Sequence, residues 1–359
     1  MSYTQLCGAT RARLNIPERI PKTGGNAPPA NPQGAMNTDP RPIAVYHEHP
    51  DWFRPLFAEL DRRDIPYVRI DPRAHVYDPG AREAEFSLLF NRMSPSAYLR
   101  GGLQGIFFTR AFLAHLERLG VPIVNGRSAF TVEISKALQL TMLESLGLPY
   151  PRARVFNHAT RATAAAEGLR FPVVVKANVG GSGAGIVRFD ALDDLARAAA
   201  EGRVILGVDH TALVQEFIPA RGGCIMRVET LGGKFLYAIK VFTTGDTFNL
   251  CPADICQRSD GVELQRSACP VDAPKTGLKV EGFEPPAAVI EAVELIVQKA
   301  GIDVGGVEYI IDDRDGKLKY YDINALSNFV ADARNVIGFD PFARLVDYLE
   351  LRAGIYRES

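Results

Sequence analysis

The sequence predicts an α/β (α+β) protein, a small parallel-sheet domain followed by a larger mixed region, and three observations carry that prediction. Between residues 43 and 125, short β-branched runs alternate with helical patterns, as in a mostly parallel α/β domain. Residues 171–189 read Phe-Pro-Val-Val-Val-Lys-Ala-Asn-Val-Gly-Gly-Ser-Gly-Ala-Gly-Ile-Val-Arg-Phe: a strand ending in a lysine, a glycine-rich loop and a returning strand. Residues 304–312 and 317–324 flank Asp313-Arg314-Asp315-Gly316 and read as a second hairpin.

Taken in order, residues 1–40 are rich in Pro, Gly, Asn and Ala without periodicity, which predicts a disordered or loosely docked extension. Strands follow at 43–46, 67–70, 85–91 and 122–125, with helices at 51–63 and 109–119, closing a first domain near Asn125. Residues 128–146 predict one long helix, capped by Ser128 and stopped by Gly147 and Pro149. Then come a strand at 153–156, a helix at 159–169, the glycine-loop hairpin, a helix at 192–200 and a strand at 212–218. Residues 227–231 and 234–242 flank Gly232-Gly233, a two-residue hairpin turn.

Composition excludes several function classes. With 41 Lys+Arg against 42 Asp+Glu in 359 residues, no charge excess points to bulk nucleic-acid or membrane-surface binding. The start lacks an apolar signal core and no stretch is long enough to span a bilayer, so a cytoplasmic protein is the expectation. The five cysteines do not make a secreted disulfide framework. Cys251, Cys256 and Cys269 could contribute to a zinc site, but their spacing lacks the usual finger pattern, and buried free thiols are the plainer reading.

The chemistry-bearing residues fall in four places. Lys176 ends a strand that reads as buried on both faces, where an unpaired ammonium is costly. The loop beside it offers backbone N–H groups with little side-chain bulk, and the pair suggests a polyphosphate site; a flexible hairpin with a solvated lysine is the alternative. Lys136 lies on an apolar side of its helix with Val132, Leu140 and Leu143, either snorkelling or placed for a ligand. Across the Gly232-Gly233 turn the predicted register pairs Arg227 with Ala238 and Ile225 with Lys240. Arg227 and Lys240 then share a face, ready for an anion or solvated with Glu229 as counter-ion. In the last hairpin, a three-residue loop 314–316 pairs Asp313 with Lys317 and therefore Glu308 with Asp322, with Asn324 on the same face. Directly opposed carboxylates destabilise a sheet unless a cation sits between them. The oxygen-only set suits magnesium held together with substrate phosphates; an exposed acidic edge is the alternative.

In this order the elements resemble the ATP-grasp superfamily, most closely its RimK-type and glutathione-synthetase-like carboxylate–amine ligases, from about residue 90 to 349. The resemblance implies an ATP-grasp fold preceded by a small α/β pre-ATP-grasp domain: 41–126 for that domain, 127–214 for a central lid subdomain and 215–355 for a C-terminal subdomain with the metal site. It implies ATP and Mg2+, two ions being expected and Mn2+ able to substitute. Lys136 and Lys176 are similar to the two ATP-phosphate lysines, and Gly180, Gly181, Ser182, Gly183 and Gly185 to the mobile phosphate loop. Gln215, Glu216, Phe217 and Ile218 match the adenine edge, where the Glu216 carboxylate or backbone would meet the exocyclic amine. Glu308, Asp322 and Asn324 match the metal ligands. Arg227 matches the catalytic arginine aimed at an acyl phosphate, with Lys176 beside it; Arg92, Lys240 and Asn249 fall on the substrate side.

Departures from the family pattern fall in three places, one of them after Asn324, where Ala-Leu-Ser-Asn stands in place of Ala-Ser-Pro-Gly. Ile225 stands where an acidic ribose contact is frequent, and Asn249-Leu-Cys-Pro-Ala-Asp254 replaces an Asn-x-x-Arg-Gly-Gly segment, with Arg258 as a substitute. The implied activity is amide or peptide bond formation through an acyl phosphate, on a small anionic carboxylate with a small-molecule, peptide or protein amine. Rivals are an ATP-grasp kinase and a nucleotide-binding regulatory protein without catalysis. The family also implies a homodimer or homotetramer.

Overall fold

The computed structural model describes residues 41–49, 51–181, 185–242, 257–258 (backbone only) and 279–355. The predicted extension 1–40, and Ser182, Gly183, Asn249, Cys251, Cys256 and Cys269, lie outside the described residues, as does the Arg258 side chain.

The first sheet is parallel throughout. It consists of β1 (Ile43–His47), β2 (Tyr67–Ile70), β3 (Leu88–Arg92) and β4 (Ile123–Val124) in the order β2-β1-β3-β4, with α1 (Arg54–Arg62) and α2 (Leu103–Leu119) as its connections. The alternation of apolar residues decides what covers each face. Ala44, Tyr46 and Leu89 pack with Ile106, Phe112, Leu113 and Leu116 of α2. Ile43, Val45, Leu88, Phe90 and Val124 face the other way, into a core continuous with the C-terminal part of the chain.

The helix predicted at 128–146 is two helices, α3 (Arg127–Glu133) and α4 (Lys136–Ser145). Ser135 breaks it: its hydroxyl accepts from the Leu138 N–H at 3.2 Å while the Asn178 side-chain oxygen accepts from the Ala137 N–H at 2.9 Å. A cap of this kind satisfies amides that a continuous helix would have bonded internally. Both helices, expected in the lid, pack instead on the C-terminal sheet, where Ala129, Leu140 and Leu143 join its core.

The lid sheet is built from β5 (Ala153–Phe156), β6 (Val173–Ala177), β7 (Val187–Phe189) and β8 (Ala212–Glu216), in the order β7-β6-β8-β5, with β11 (Gln257–Arg258) beyond β7. The predicted helix 159–169 shrinks to a short 3-10 turn and α5 (Ala162–Ala166), and with α6 (Leu192–Ala200) it covers one face of this sheet. Val173, Val175, Ala212 and Val214 supply that face. Lys176 and Gln215 have the opposite parity and share their face with Val174 and Leu213.

The C-terminal sheet is antiparallel, β12-β10-β9-β13-β14: β9 (Cys224–Leu231), β10 (Lys234–Phe242), β12 (Val280–Gly282), β13 (Val304–Ile311) and β14 (Leu318–Asn324). Met226, Val228, Ala238 and Val307 pack under α7 (Ala287–Ala300), whose Val289, Val293, Ile296 and Val297 are each buried, at about 1.5–3 kcal/mol per side chain. Ile239, Val241 and Ile310 meet the first sheet's core together with α9 (Pro341–Ala353); α8 (Ala333–Ile337) precedes α9. Among the described residues no helix is long and apolar enough to cross a membrane.

Candidate active site

The C-terminal sheet and the ends of α4 and β6 converge on one charged group. Glu308 pairs directly with Asp322 across β13 and β14, as predicted, but by a different route. The turn is one residue longer than expected, so Ile311 opposes Leu318 and Tyr309 opposes Tyr320. A β-bulge then shifts the register back before Glu308 is reached. It also lets Tyr321 donate its hydroxyl to the second Glu308 oxygen at 2.7 Å. Asn324 sits two residues from Asp322 and donates its side-chain N–H to Asp322 Oδ2 at 2.9 Å, which leaves its amide oxygen as a donor atom for a cation.

Cations already face both carboxylates. Lys136, the first residue of α4, forms an ion pair with Asp322 Oδ1. Burial alone would lower the Lys136 ammonium, but the Asp322 charge prevails and holds it above an ordinary lysine. Burial would likewise raise Asp322, and Lys136 instead holds it below the usual carboxylate range. Glu308 goes the other way: burial raises it although the Arg227 guanidinium opposes the shift. Arg227 bonds Glu308 at 3.0 Å, Glu229 at 2.5 Å and the Ser327 hydroxyl at 3.2 Å, all buried.

Lys176 is different. Its side chain is buried, and among the described residues it has no ion pair or hydrogen bond. Burial, reinforced by the Lys136 charge, pushes it down to about 7. The adjoining loop keeps close company with the first domain: a Cβ on Gly181 would lie 3.4 Å from Pro95 and Ser96.

Two oxygen-donor carboxylates and an amide fit magnesium, which keeps several waters and substrate phosphates as its remaining ligands. Among the described residues no three His, Cys, Asp or Glu side chains gather to hold a metal, so a third protein donor here has to be the Asn324 amide.

Three predicted placements change. A bulge between Phe235 and Tyr237 pairs Arg227 with Ile239 and Lys240 with Met226, so Lys240 lies on the opposite face of the sheet from Arg227. Its ammonium sits 5.0 Å from the Phe283 ring centroid. Arg92 is buried and clasps the C-terminal chain: its guanidinium donates to the Ala325 carbonyl at 3.3 Å, the Asn328 side chain at 3.1 Å and the Ser327 carbonyl. Burial lowers it to about 9, and these contacts support an interdomain clasp in place of an open substrate contact. The Glu216 carboxylate accepts the Arg170 backbone N–H at 2.9 Å and pairs with Arg152 at 3.3 Å. It lies on the sheet face away from Lys176, and the Glu216 and Phe217 backbone N–H groups already donate to the Arg152 and Pro172 carbonyls, each at 2.9 Å. Gln215, on the Lys176 face, has a buried side-chain oxygen with no partner among the described residues.

Sequence reasoning missed Glu133, Asn125 and Gln139, each buried. The Glu133 carboxylate accepts the Ala325 backbone N–H, and burial raises it to about 7. Gln139 carried one signal, a polar residue four positions before buried Leu143 on the packed side of α4.

Known proteins resemble this chain in sequence and in fold. Residues 133–250 match the family model of the RimK-like ATP-grasp domain. A probable alpha-L-glutamate ligase of Marinobacter nauticus is 29% identical over 176 residues, 47% of this chain and 52% of that protein. A D-alanine--D-alanine ligase of Aromatoleum aromaticum is 28% identical over 51% of this chain and 60% of that protein. The chain thus spans about half the length of the first curated relatives it matches. Among solved structures, the ATP-grasp ligase PsnB complexed with a minimal precursor superposes with a TM-score of 0.61 at 16% identity, covering 87% of this chain and 99% of that one. A RimK domain ATP-grasp protein of Sphaerobacter thermophilus gives 0.57 at 20% identity, covering 88% and 100%. Residues 133–250 thus carry a RimK-like ATP-grasp domain, within a fold that the chain shares with these ATP-grasp structures.

Proposed function

We propose that this protein is an ATP-dependent carboxylate–amine ligase acting through an acyl phosphate. The observation that carries the reading is the asymmetric pair of lysines: Lys136 already neutralised by Asp322, Lys176 beside it with no counter-ion among the described residues. A buried cation without a partner is costly, and a polyphosphate entering between the lid and the C-terminal sheet would relieve it.

In this reading Lys176 and the loop amides around Gly180 and Gly181 take the phosphate charge, while Lys136 shifts between Asp322 and the nucleotide. Glu308, Asp322 and Asn324 would hold Mg2+, which neutralises charge on the transferring phosphoryl group when bound. Arg227, held by Glu229 and Glu308, stays charged and oriented toward the oxygens that develop negative charge. A substrate carboxylate attacks the γ-phosphate to give an acyl phosphate and ADP, and an amine displaces phosphate to form the amide. The lid excludes water from the activated acyl group.

The acceptor is either a small molecule or a peptide; the structural likeness to a ligase complexed with a precursor peptide supports keeping peptides in the search. The test is a panel of amino acids, small dicarboxylates and peptides, assayed for ADP release with hydroxylamine present. A hydroxamate that appears only with ATP and one carboxylate is the expected result. A stable phosphorylated alcohol and no hydroxamate would replace ligase with kinase.

A further inference from the structure

Among the described residues the sheet order leaves β14 at an edge, with β13 on one side and no strand on the other. Edge strands carry unpaired backbone groups and twist more freely than central ones. Here the strand that carries Asp322 and Asn324 is an edge strand, and the residues between and after them present N–H and C=O groups outward. Those groups are not left to water. The Gln139 side chain donates to the Ile323 carbonyl at 2.9 Å and accepts from the Ile323 N–H at 3.3 Å. Two residues on, Asn125 donates to the Ala325 carbonyl at 2.5 Å and Glu133 accepts the Ala325 N–H.

We propose that Gln139 is a positioning residue for the metal ligands, acting as a one-residue substitute for the missing neighbour strand. The proposal rests on the reading of Asp322 and Asn324 given above. Ile323 lies between the two, so fixing both of its backbone groups fixes the height and tilt from which the flanking side chains project to the opposite face. Only a side-chain amide supplies donor and acceptor together in the ladder geometry. Gln139 is 3% exposed, so water does not replace it. Its amide is itself pinned, the same nitrogen donating to the Val132 carbonyl at 3.1 Å in the last turn of α3. The α3–α4 break therefore has a consequence: the chain from Val132 to Gln139 forms a rigid rail along the edge of β14. Gln139 touches neither nucleotide nor metal ligand side chain, and its effect is transmitted through the Ile323 backbone.

The experiment compares wild type with Gln139→Met, which keeps volume and removes both bonds. ADP affinity is measured by calorimetry with excess Mg2+ and again with EDTA. The expected result is a loss of at least tenfold in the Mg2+ arm with the EDTA arm within twofold of wild type. A variant that melts lower but keeps the full wild-type gain from Mg2+ shows a merely structural role and overturns the proposal. If wild type itself gains nothing from Mg2+, the ligand assignment fails, which is a different outcome from a normal wild type and an unaffected variant. Should Gln139→Met not fold, hydrogen exchange of the wild-type Ile323 amide decides: protection of a hundredfold or more over an open-edge amide supports the rail, and free exchange overturns it.

Discussion

The N-terminus of α4 and the end of β6 each deliver a lysine to the same cleft, yet the two regions have treated them in opposite ways. Lys136 starts a helix on the C-terminal sheet and is neutralised within the fold by Asp322. Lys176 ends a lid strand, is fully walled in, and has no counter-ion among the described residues. The two ammonium groups share one neighbourhood; the partner differs, and with it the hold on the proton. In the proposed reading the difference assigns one lysine to the folded state and the other to the ligand. A site that binds a polyanion needs one cation whose charge is unspent before the ligand arrives.

The sharpest way to break this comparison is Lys176→Met. ATP turnover should fall about 100- to 1,000-fold, the scale on which a single preorganised electrostatic donor acts. The thermal midpoint of the ligand-free variant should rise, because an unpaired buried cation has been removed. A lower midpoint in thermal unfolding would mean that Lys176 has a structural partner after all.

Lys136→Met should do the reverse to stability. It strands Asp322, and denaturant unfolding should show a loss of about 2 kcal/mol, below the cost of breaking a fully buried pair because both side chains keep some exposure. Adding Asp322→Asn should recover most of that loss. No recovery would show that Lys136 contributes packing more than charge.

The acidic side offers a gentler test. A Cβ on Gly306 would fall 2.8 Å from the Glu229 carboxylate that holds Arg227. Gly306→Ala should cost about 1–3 kcal/mol by overpacking, and reduce turnover more than nucleotide binding, since Arg227 is displaced while Lys176 is untouched. Equal losses in both would argue that the change spreads through the whole cleft.

The smallest effect is a proton count. With Lys176 near 7 in the folded state against about 10.4 for a free lysine, the folded protein has released a proton that the unfolded chain keeps across that interval. Stability from this group therefore rises as pH rises through the window, and is lowest below pH 7, where the buried ammonium is charged. A bound polyphosphate restores the charge, so at pH 8 nucleotide binding should take up a fraction of a proton, approaching one. At pH 6 the uptake should vanish. Calorimetry in buffers of different ionisation enthalpy reads both values, and zero uptake at pH 8 would remove the distinction between the two lysines.

Much of this site was legible because its residues lie where strand parity places them. Lys176 follows a β-branched run, and both faces of that run are buried as the pattern requires. Glu308 and Asp322 were paired correctly although the turn and the bulge each departed by one residue, in compensating directions. The same kind of departure had no compensation in β9–β10, and it carried Lys240 to the wrong face. Bulges are set by tertiary packing and leave little trace in alternation. The break before Lys136 was hidden for a related reason: Ser135 is an ordinary polar residue in a helical pattern until Asn178, far along the chain, arrives to cap α4. Gln139 showed only as a polar residue on the packed side of α4, because its partner is backbone, and backbone has no sequence signature.

The split core of the first domain bears on how the protein comes into being. The inner face of the first sheet, with Ile43, Val45 and Phe90, is completed by Leu345, Val346 and Leu349 of α9. During synthesis that face is made before its cover, which follows the strands of both other sheets. The first sheet is therefore written before the other two and finished after them, and its apolar face stays uncovered while they are made.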